Sequence, residues 1–351
     1  MNPRKRSHIL FIAALSAGLL CVSSCSRASE KIIEDSRFFM GTVVQIKVSI
    51  DPAKYGEARA KDAISKAFDE IKRIEDVYSV YKDTSEISRI NRLKKDERLR
   101  ISDEVLNLIH KTLDYSKRTD GAFDITVKPL VDLWGRAGKA NKLPDEYELK
   151  RALGRVGYKN VVLDEVVRTI HFKKEGMGID LGGAAKGYAT DRAVSILEEN
   201  GIDNALVNSG GDMYCFGKRT AHELWKVGVQ HPRDRNRLFL EIRLKDKAID
   251  TSGDYERYFV LDGKRYSHII DPRTGYPIGD NVVSASVIAP DSVTSDILAT
   301  AMCILGEKGF DIIKSESGGI DAVLVTKDTG RLRVKMSEGI RKRYDISEER
   351  L

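Results

Sequence analysis

The sequence predicts an α+β protein, and three stretches carry that expectation. Thr42, Val44, Ile46, Val48 and Ile50 alternate with Val43, Gln45, Lys47 and Ser49, which is the period of a half-buried strand. From Gly56 onward Ala60, Ala63, Ile64, Ala67, Ile71 and Ile74 recur at helical spacing. Asp262-Gly263 sits between the runs Arg257 to Leu261 and Lys264 to Ile270, a strong signal for an antiparallel hairpin. This order is compatible with antiparallel sheets carrying helices on one face, but does not by itself select that arrangement.

The chain opens with a segment expected to be removed. Arg4, Lys5 and Arg6 precede the apolar run Ile9 to Leu20, the layout of a secretory signal over residues 1–24. Val22-Ser-Ser-Cys25 reads as a bacterial lipobox, so Cys25 is expected to be lipidated and to become the mature N-terminus. The apolar run is short for a retained transmembrane anchor. Residues 25–36 then form a linker, and residues 37–345 a single domain. The formal net charge of +6 falls to +3 once the three leader cations are discounted, which gives no case for a nucleic-acid partner. Cys21 leaves with the leader, so Cys215 and Cys303 are the remaining thiols and form no disulfide framework.

After the first strand, Asp51-Pro52 breaks the pattern and the amphipathic helix runs into Tyr78-Ser-Val-Tyr81. Tyr81 is a residue type that can stack on a planar ring, or equally cap a core from the surface. A second helix has Val105, Leu108, Ile109 and Leu113 on one face and ends near Thr119-Asp120-Gly121. Gly121 to Gly135 reads as a turn, a short apolar strand and an aromatic, and Arg136 to Leu149 as a polar connection.

Gly176-Met-Gly-Ile-Asp-Leu-Gly-Gly-Ala-Ala-Lys-Gly187 is the stretch around which the chain is organised. It follows the strand-like Thr169-Ile-His-Phe and leads into a helix marked by Ala185, Tyr188, Ala189, Ala193, Ile196 and Leu197. A glycine-rich turn at a helix N-terminus suits an anion, and Lys186 in the first turn is an unusual cation unless an anion is near. The same glycines also suit a tight turn that binds nothing. The Rossmann spacing fails because Leu181 stands where Gly is needed, and a Walker loop fails because Lys186 precedes Gly187.

Three later stretches gather polar residues at strand ends or on a helix face. Ala205-Leu-Val-Asn208 empties into Ser209-Gly-Gly-Asp212, either a polar pocket floor or an ordinary tight turn. His268-Ile-Ile-Asp271-Pro-Arg-Thr-Gly275 packs His, Asp and Arg beside a strand end, where scaffolds display catalytic groups. In Thr294-Ser-Asp296-Ile-Leu-Ala-Thr300, Asp296 and Thr300 lie four apart on one helical face, a carboxylate and a hydroxyl that suit Mg²⁺ or Ca²⁺. Alternatively, Asp296 only favours a helix N-terminus capped by Thr294.

Together, Met40-Gly-Thr42, Ile179 to Gly187, Asn208 to Asp212, His268 to Gly275 and Thr294 to Thr300 resemble, in order, the ApbE-type flavin transferases, and the resemblance spans essentially the whole mature chain. It implies an α+β fold of antiparallel sheets with paired helices, T-fold-like. It implies a lipid-anchored enzyme at the periplasmic face of a bacterial membrane that cleaves FAD with Mg²⁺, joins FMN to a threonine of an acceptor protein and releases AMP. The acceptors would be subunits of sodium-pumping quinone reductase or Rnf-type complexes. A FAD pyrophosphatase and a non-enzymatic flavin-binding lipoprotein are the competing readings. By position, Met40, Tyr81, Ala122, Phe123, Asp124, Asp180, Lys186 and Ile270 would line the FAD site, and Gly183, Asp296 and Thr300 would hold the metal. Some relatives carry a hydroxyl residue in place of Gly183 or an acid in place of Ala299, so the metal site here would be light in side-chain ligands. The base that deprotonates the threonine would be His268 or a neighbouring carboxylate such as Asp271.

Overall fold

A computed structural model describes residues 30–349, so the leader and Cys25 lie outside the described residues. Strands β1 (Lys31–Phe39) and β2 (Thr42–Ile50) form a hairpin. Its two turn residues, Met40 and Gly41, both have positive φ (51° and 74°), the geometry that matches the natural twist of paired strands. β1 starts at Lys31, inside the segment expected to be linker, because pairing along all of β2 and burial of Ile33 hold it to the sheet.

Helix α1 (Glu57–Tyr78) buries Ala60, Ala63, Ile64, Ala67, Phe68, Ile71, Ile74 and Tyr78, the stripe the spacing predicts. The short α2 (Glu86–Ile90) is capped by the Ser85 side chain, and β3 (Leu99–Arg100) leads to α3 (Asp103–Arg118). The expected short strand within 121–135 does not form. Instead a 3₁₀ turn, Ile125–Val127, runs into α4 (Lys128–Ala140), with Pro129 in the first turn, where its missing N–H costs nothing. Leu130, Leu133, Trp134 and Ala137 give that helix its buried stripe. The expected polar connection at 136–149 is likewise corrected. It ends α4 and begins α5 (Glu146–Leu153), whose Asp145 and Glu148 form a reciprocal capping box.

Strands β4 (Val161–Asp164) and β5 (Thr169–Phe172) join β3 in a small sheet. Helix α6 (Ala185–Glu199) then leads to β6 (Ala205–Ser209), β7 (Asp212–Phe216), β8 (Trp225–Gln230), β9 (Leu238–Leu244) and β10 (Lys247–Gly253). The Asp262-Gly263 hairpin forms as β11 (Tyr258–Leu261) and β12 (Lys264–Ser267). The chain closes with β13 (Val282–Ala289), α7 (Ser292–Leu305), α8 (Gly309–Ser315), β14 (Asp321–Asp328), β15 (Arg331–Met336), α9 (Glu338–Arg343) and β16 (Ile346–Glu348). β16 pairs with β9, so the folded unit runs past the expected end at 345.

The main sheet has eight antiparallel strands in the order β1-β2-β6-β7-β10-β13-β14-β15. Alternate residues feed two cores. Val207, Ala285, Val287 and Leu324 face α1, α6 and α7, while Leu206, Cys215, Val283 and Val323 face Trp225, Val227 and Ile242 of the smaller β16-β9-β8 sheet. Cys215 and Cys303 are free and belong to different cores. Trp134, Phe259 and Tyr266 stack where α4 meets the β11–β12 hairpin, and the Trp134 indole N–H donates to the Gly275 carbonyl at 2.7 Å. That bond ties the 268–277 turn to α4. No helix among the described residues is long and apolar enough to cross a membrane.

Candidate functional site

The start of α6 meets the start of α7 at a contact that only glycine permits. A Cβ on Gly187 would stand 2.3 Å from the Ser292 carbonyl oxygen. Asp191, one turn further along α6, accepts the Ser292 and Val293 amides at 2.7 and 3.0 Å, satisfying donors that the end of α7 would otherwise leave free. Burial pushes the Asp191 carboxyl up to about 7 against those two bonds. Small residues in Gly183 to Gly187 are therefore explained first by close helix approach.

This packing brings three carboxylates around one ammonium. Lys186 forms an ion pair with Asp212, at the start of β7, and its Nζ lies 3.8 Å from Asp296 Oδ2. Asp212, Asp250 and Asp296 are almost wholly buried. Asp250 is satisfied locally, accepting from the Met213 amide at 3.0 Å and from the Ser292 and Ser295 hydroxyls at 2.8 and 2.6 Å. Asp296 has much less: the Gly187 amide at 3.3 Å and the more distant Lys186. Burial, then repulsion from Asp212, raises the Asp296 carboxyl to about 7 even though Lys186 opposes the shift. Burial also raises Asp212, and burial with repulsion from Asp212 and Asp296 holds Asp250 well above the carboxylate range. Burial opposes the charge on Lys186, but Asp212 and Asp296 outweigh it and keep the ammonium protonated.

The three expected metal positions converge. Thr300 follows Asp296 by one helical turn, and a Cβ on Gly183 would stand 3.1 Å from Thr300 Oγ1 and 3.2 Å from the Phe123 ring. Gly183 thus keeps a space open beside Thr300. The helix is capped by Asp291, whose side chain accepts the Thr294 amide, so neither Thr294 as cap nor Asp296 as an end charge accounts for these residues. Among the described residues no group of three His, Cys, Asp or Glu side chains could hold a metal ion. An all-oxygen set with one carboxylate, one hydroxyl and the Gly183 carbonyl does fit a hard cation that draws further oxygens from its substrate.

Other expected site residues fall into two groups. Met40 forms the turn beside Arg257, whose Nη2 stands 3.2 Å from where a Gly41 Cβ would be. Asp180 accepts the Gly182 amide at 2.8 Å, is raised by burial, and feels the charges of Lys128 and Arg257. Ala122 and Phe123 are buried at the edge of the same space. Tyr81 is 86% exposed, so it caps no core and its ring is open to stacking. His268 Nδ1 lies 2.9 Å from the Arg257 carbonyl oxygen. Its ring is accessible yet crowded by protein, and that desolvation, helped by the Arg257 and Lys186 charges, pushes its pKa down to about 4.

Three expected residues are engaged elsewhere. Asp124 is buried and spends its oxygens on the Thr126 amide and hydroxyl and the Tyr158 amide, at 2.7–2.8 Å. The Ile270 side chain joins the Leu130–Trp134 cluster. Asp271 receives a forked pair of bonds from Arg273, 2.9 and 2.8 Å, and a third from the Arg273 amide. Asp271, the alternative base, thus already takes three bonds that hold its own turn. The sequence reading offered Asp212 only as part of a polar pocket floor or a tight turn and gave no role to Asp250, which lies within β10. It also missed Asn91, whose side chain clamps Ile179 through its N–H at 2.6 Å and its carbonyl at 2.9 Å.

Fold and site together define an α+β protein with a buried, acid-lined junction between two helices. The chain belongs to the ApbE family, whose model matches residues 40–324. It is 33% identical over 303 residues to the FAD:protein FMN transferase of Klebsiella pneumoniae, covering 86% of this chain and 91% of that protein. With the Treponema pallidum protein of the same name it shares 31% over 348 residues, covering 95% and 94% of the two chains. The crystal structure of the ApbE protein from Thermotoga maritima superposes with a TM-score of 0.79 at 36% identity, covering 89% of this chain and 99% of that one. The flavin transferase ApbE from Vibrio cholerae gives 0.78 at 29% identity, again covering 89% and 99%.

Proposed function

We propose that this protein is a Mg²⁺-dependent FAD:protein FMN transferase that attaches FMN to a threonine of an acceptor protein and releases AMP. The observation that carries the metal-dependent part is Asp296: buried, short of donors, and one turn from Thr300 and the Gly183 gap. Bound there, Mg²⁺ would supply charge neutralisation at the FAD diphosphate.

Each remaining task falls to a residue of this chain. Facing a carbonyl oxygen, His268 Nδ1 carries the ring proton, and Nε2 is left with its lone pair. With a pKa near 4 the imidazole is neutral at neutral pH and can act as general base. The acceptor threonine Oγ bonds to the FMN-side phosphorus as its proton passes to Nε2. The bond from that phosphorus to the bridging oxygen breaks, and its electron pair leaves with AMP. Tyr81 offers an open face for a flavin or adenine ring. The threonine prevails over water by being positioned, since its hydroxyl is no stronger a nucleophile.

The same reading puts the protein at the periplasmic face of a bacterial membrane, anchored through lipidated Cys25; the basic leader, short apolar run and Val22-Ser-Ser-Cys25 support it. Intact mass of the native protein tests this, and a retained Met1 or free Cys25 thiol overturns it. The activity is tested by incubating the protein with FAD, Mg²⁺ and an acceptor carrying the threonine, with subunits of sodium-pumping quinone reductase or Rnf-type complexes tried first. The acceptor should gain one FMN with an equal yield of AMP, and acceptor Thr→Ala should stop both. AMP released at the same rate without acceptor, and no mass gain, would make the protein a pyrophosphatase. FAD left intact would make it a flavin-binding protein.

A further inference from the structure

Most arginines of the 233–273 region are paired with acids, and Arg257 is not. Arg233 and Arg265 reach Asp254, at 2.8 and 3.8 Å, and Arg273 is forked onto Asp271. Arg257 has an exposed side chain and makes no ion pair among the described residues. Its backbone is fixed nonetheless, because its carbonyl accepts the His268 amide at 3.0 Å and faces His268 Nδ1 at 2.9 Å. Its guanidinium lies over the Met40–Gly41 turn, where a Cβ on Gly41 would stand 3.2 Å from Nη2. Its charge reaches Asp180 from one side and His268 from the other. A cation beside Met40, Asp180 and His268, influenced by Asp180 only at a distance and in no ion pair among the described residues, is free to take an anion from outside.

We infer that Arg257 is the diphosphate-binding residue of the site, its guanidinium forked onto the phosphate oxygens of FAD. This rests on the transferase reading for the identity of the ligand. FAD carries its negative charge on the diphosphate alone, and a planar guanidinium matches two phosphate oxygens where an ammonium offers only a point charge. Lys186 is already committed to Asp212 and Asp296, so Arg257 supplies the charge that Lys186 cannot spare. The same contact would strengthen as the bridging P–O bond breaks and negative charge gathers on departing AMP. Arg257 would thereby touch substrate both before and during the reaction.

The test uses the full protein without metal, in EDTA, titrated with FAD and separately with riboflavin, which has the flavin ring and no phosphate. Arg257→Gln should bind FAD on the order of ten- to a hundredfold more weakly than wild type. Arg257→Lys should recover part of that loss, and riboflavin should bind all three proteins alike. The side chain is exposed, so melting temperatures should match and exclude misfolding. Equal FAD affinity in wild type and Arg257→Gln overturns the inference. So does a parallel loss of riboflavin affinity, which would place the guanidinium on the ring. The transferase reading fails separately: wild-type protein that binds FAD through Arg257 yet never flavinylates an acceptor would sink that reading and leave this one standing.

Discussion

Asp271 and Asp296 are both acids that the sequence offered for chemistry, and the structure treats them in opposite ways. Asp271 sits in an exposed turn, and protein donors take both of its oxygens: the Arg273 guanidinium twice and the Arg273 amide once. Asp296 is buried at the α6–α7 junction with one long amide bond, a lysine shared with Asp212, and two like charges nearby. A carboxylate whose donors are all supplied by the chain builds the fold. A buried one left short of them is tolerated only if something else completes it, because unpaired buried charge is expensive.

The largest effect expected from this contrast is at Asp296. Asp296→Ala should abolish metal-dependent turnover while the melting temperature of metal-free protein holds or rises, since one of three crowded carboxylates is gone. An active, folded mutant would erase the contrast. Next is the packing that creates the junction. Ala normally improves a helix over Gly by about 1 kcal/mol. At Gly187 the added Cβ would stand 2.3 Å from the Ser292 carbonyl, so Gly187→Ala should instead destabilise by about 1–3 kcal/mol or more, measured by denaturant unfolding. A stabilised mutant would show that the two helices can part freely. Smaller still is Asp271→Asn, which keeps the turn's shape but weakens the Arg273 pair, a partly exposed contact worth up to about 1 kcal/mol. Its kcat should stay within a few-fold of wild type, whereas a drop of many orders would restore Asp271 as the base.

Legibility in the sequence followed the number of covered faces. β2 and α1 each expose one side, so their periods of two and 3.6 were plain, and the Asp262-Gly263 turn fixed its hairpin. β13 is buried at every position between the helices and the smaller sheet, so it has no alternation to read and went unassigned. Helices α4 and α5 were missed because Gly135, Gly138, Asn141 and Pro144 masked a buried stripe and a capping box. At the site, the i,i+4 pair Asp296–Thr300 was visible because helix geometry alone brings it together. Asp212, Asp250 and Arg257 were not, since their meaning comes from long-range pairing: β10 against β7 and β13, and the β11 approach to the β1–β2 turn.

His268 gives the mildest test of the contrast between chain-satisfied and chain-deprived groups. Its pKa is pushed below the unfolded value, so folded protein binds fewer protons than unfolded protein between pH 6.5 and about 4. The neutral ring's contribution to stability is present above pH 6.5 and is lost as pH falls through about 4. Desolvation is the main cause, with the Arg257 and Lys186 charges adding to it, so no carboxylate is needed to account for the shift. His268→Gln should therefore flatten the loss of melting temperature across that window, by a small amount because the ring is partly open to water. In the wild type, the acid limb of kcat/KM, which reports free enzyme, should have its midpoint at about 4 if this imidazole is the base. His268→Gln should remove that limb and slow transfer together. A mutant that transfers FMN at the wild-type rate would show that the imidazole only steadies the Arg257 carbonyl, and the threonine proton would then need another acceptor.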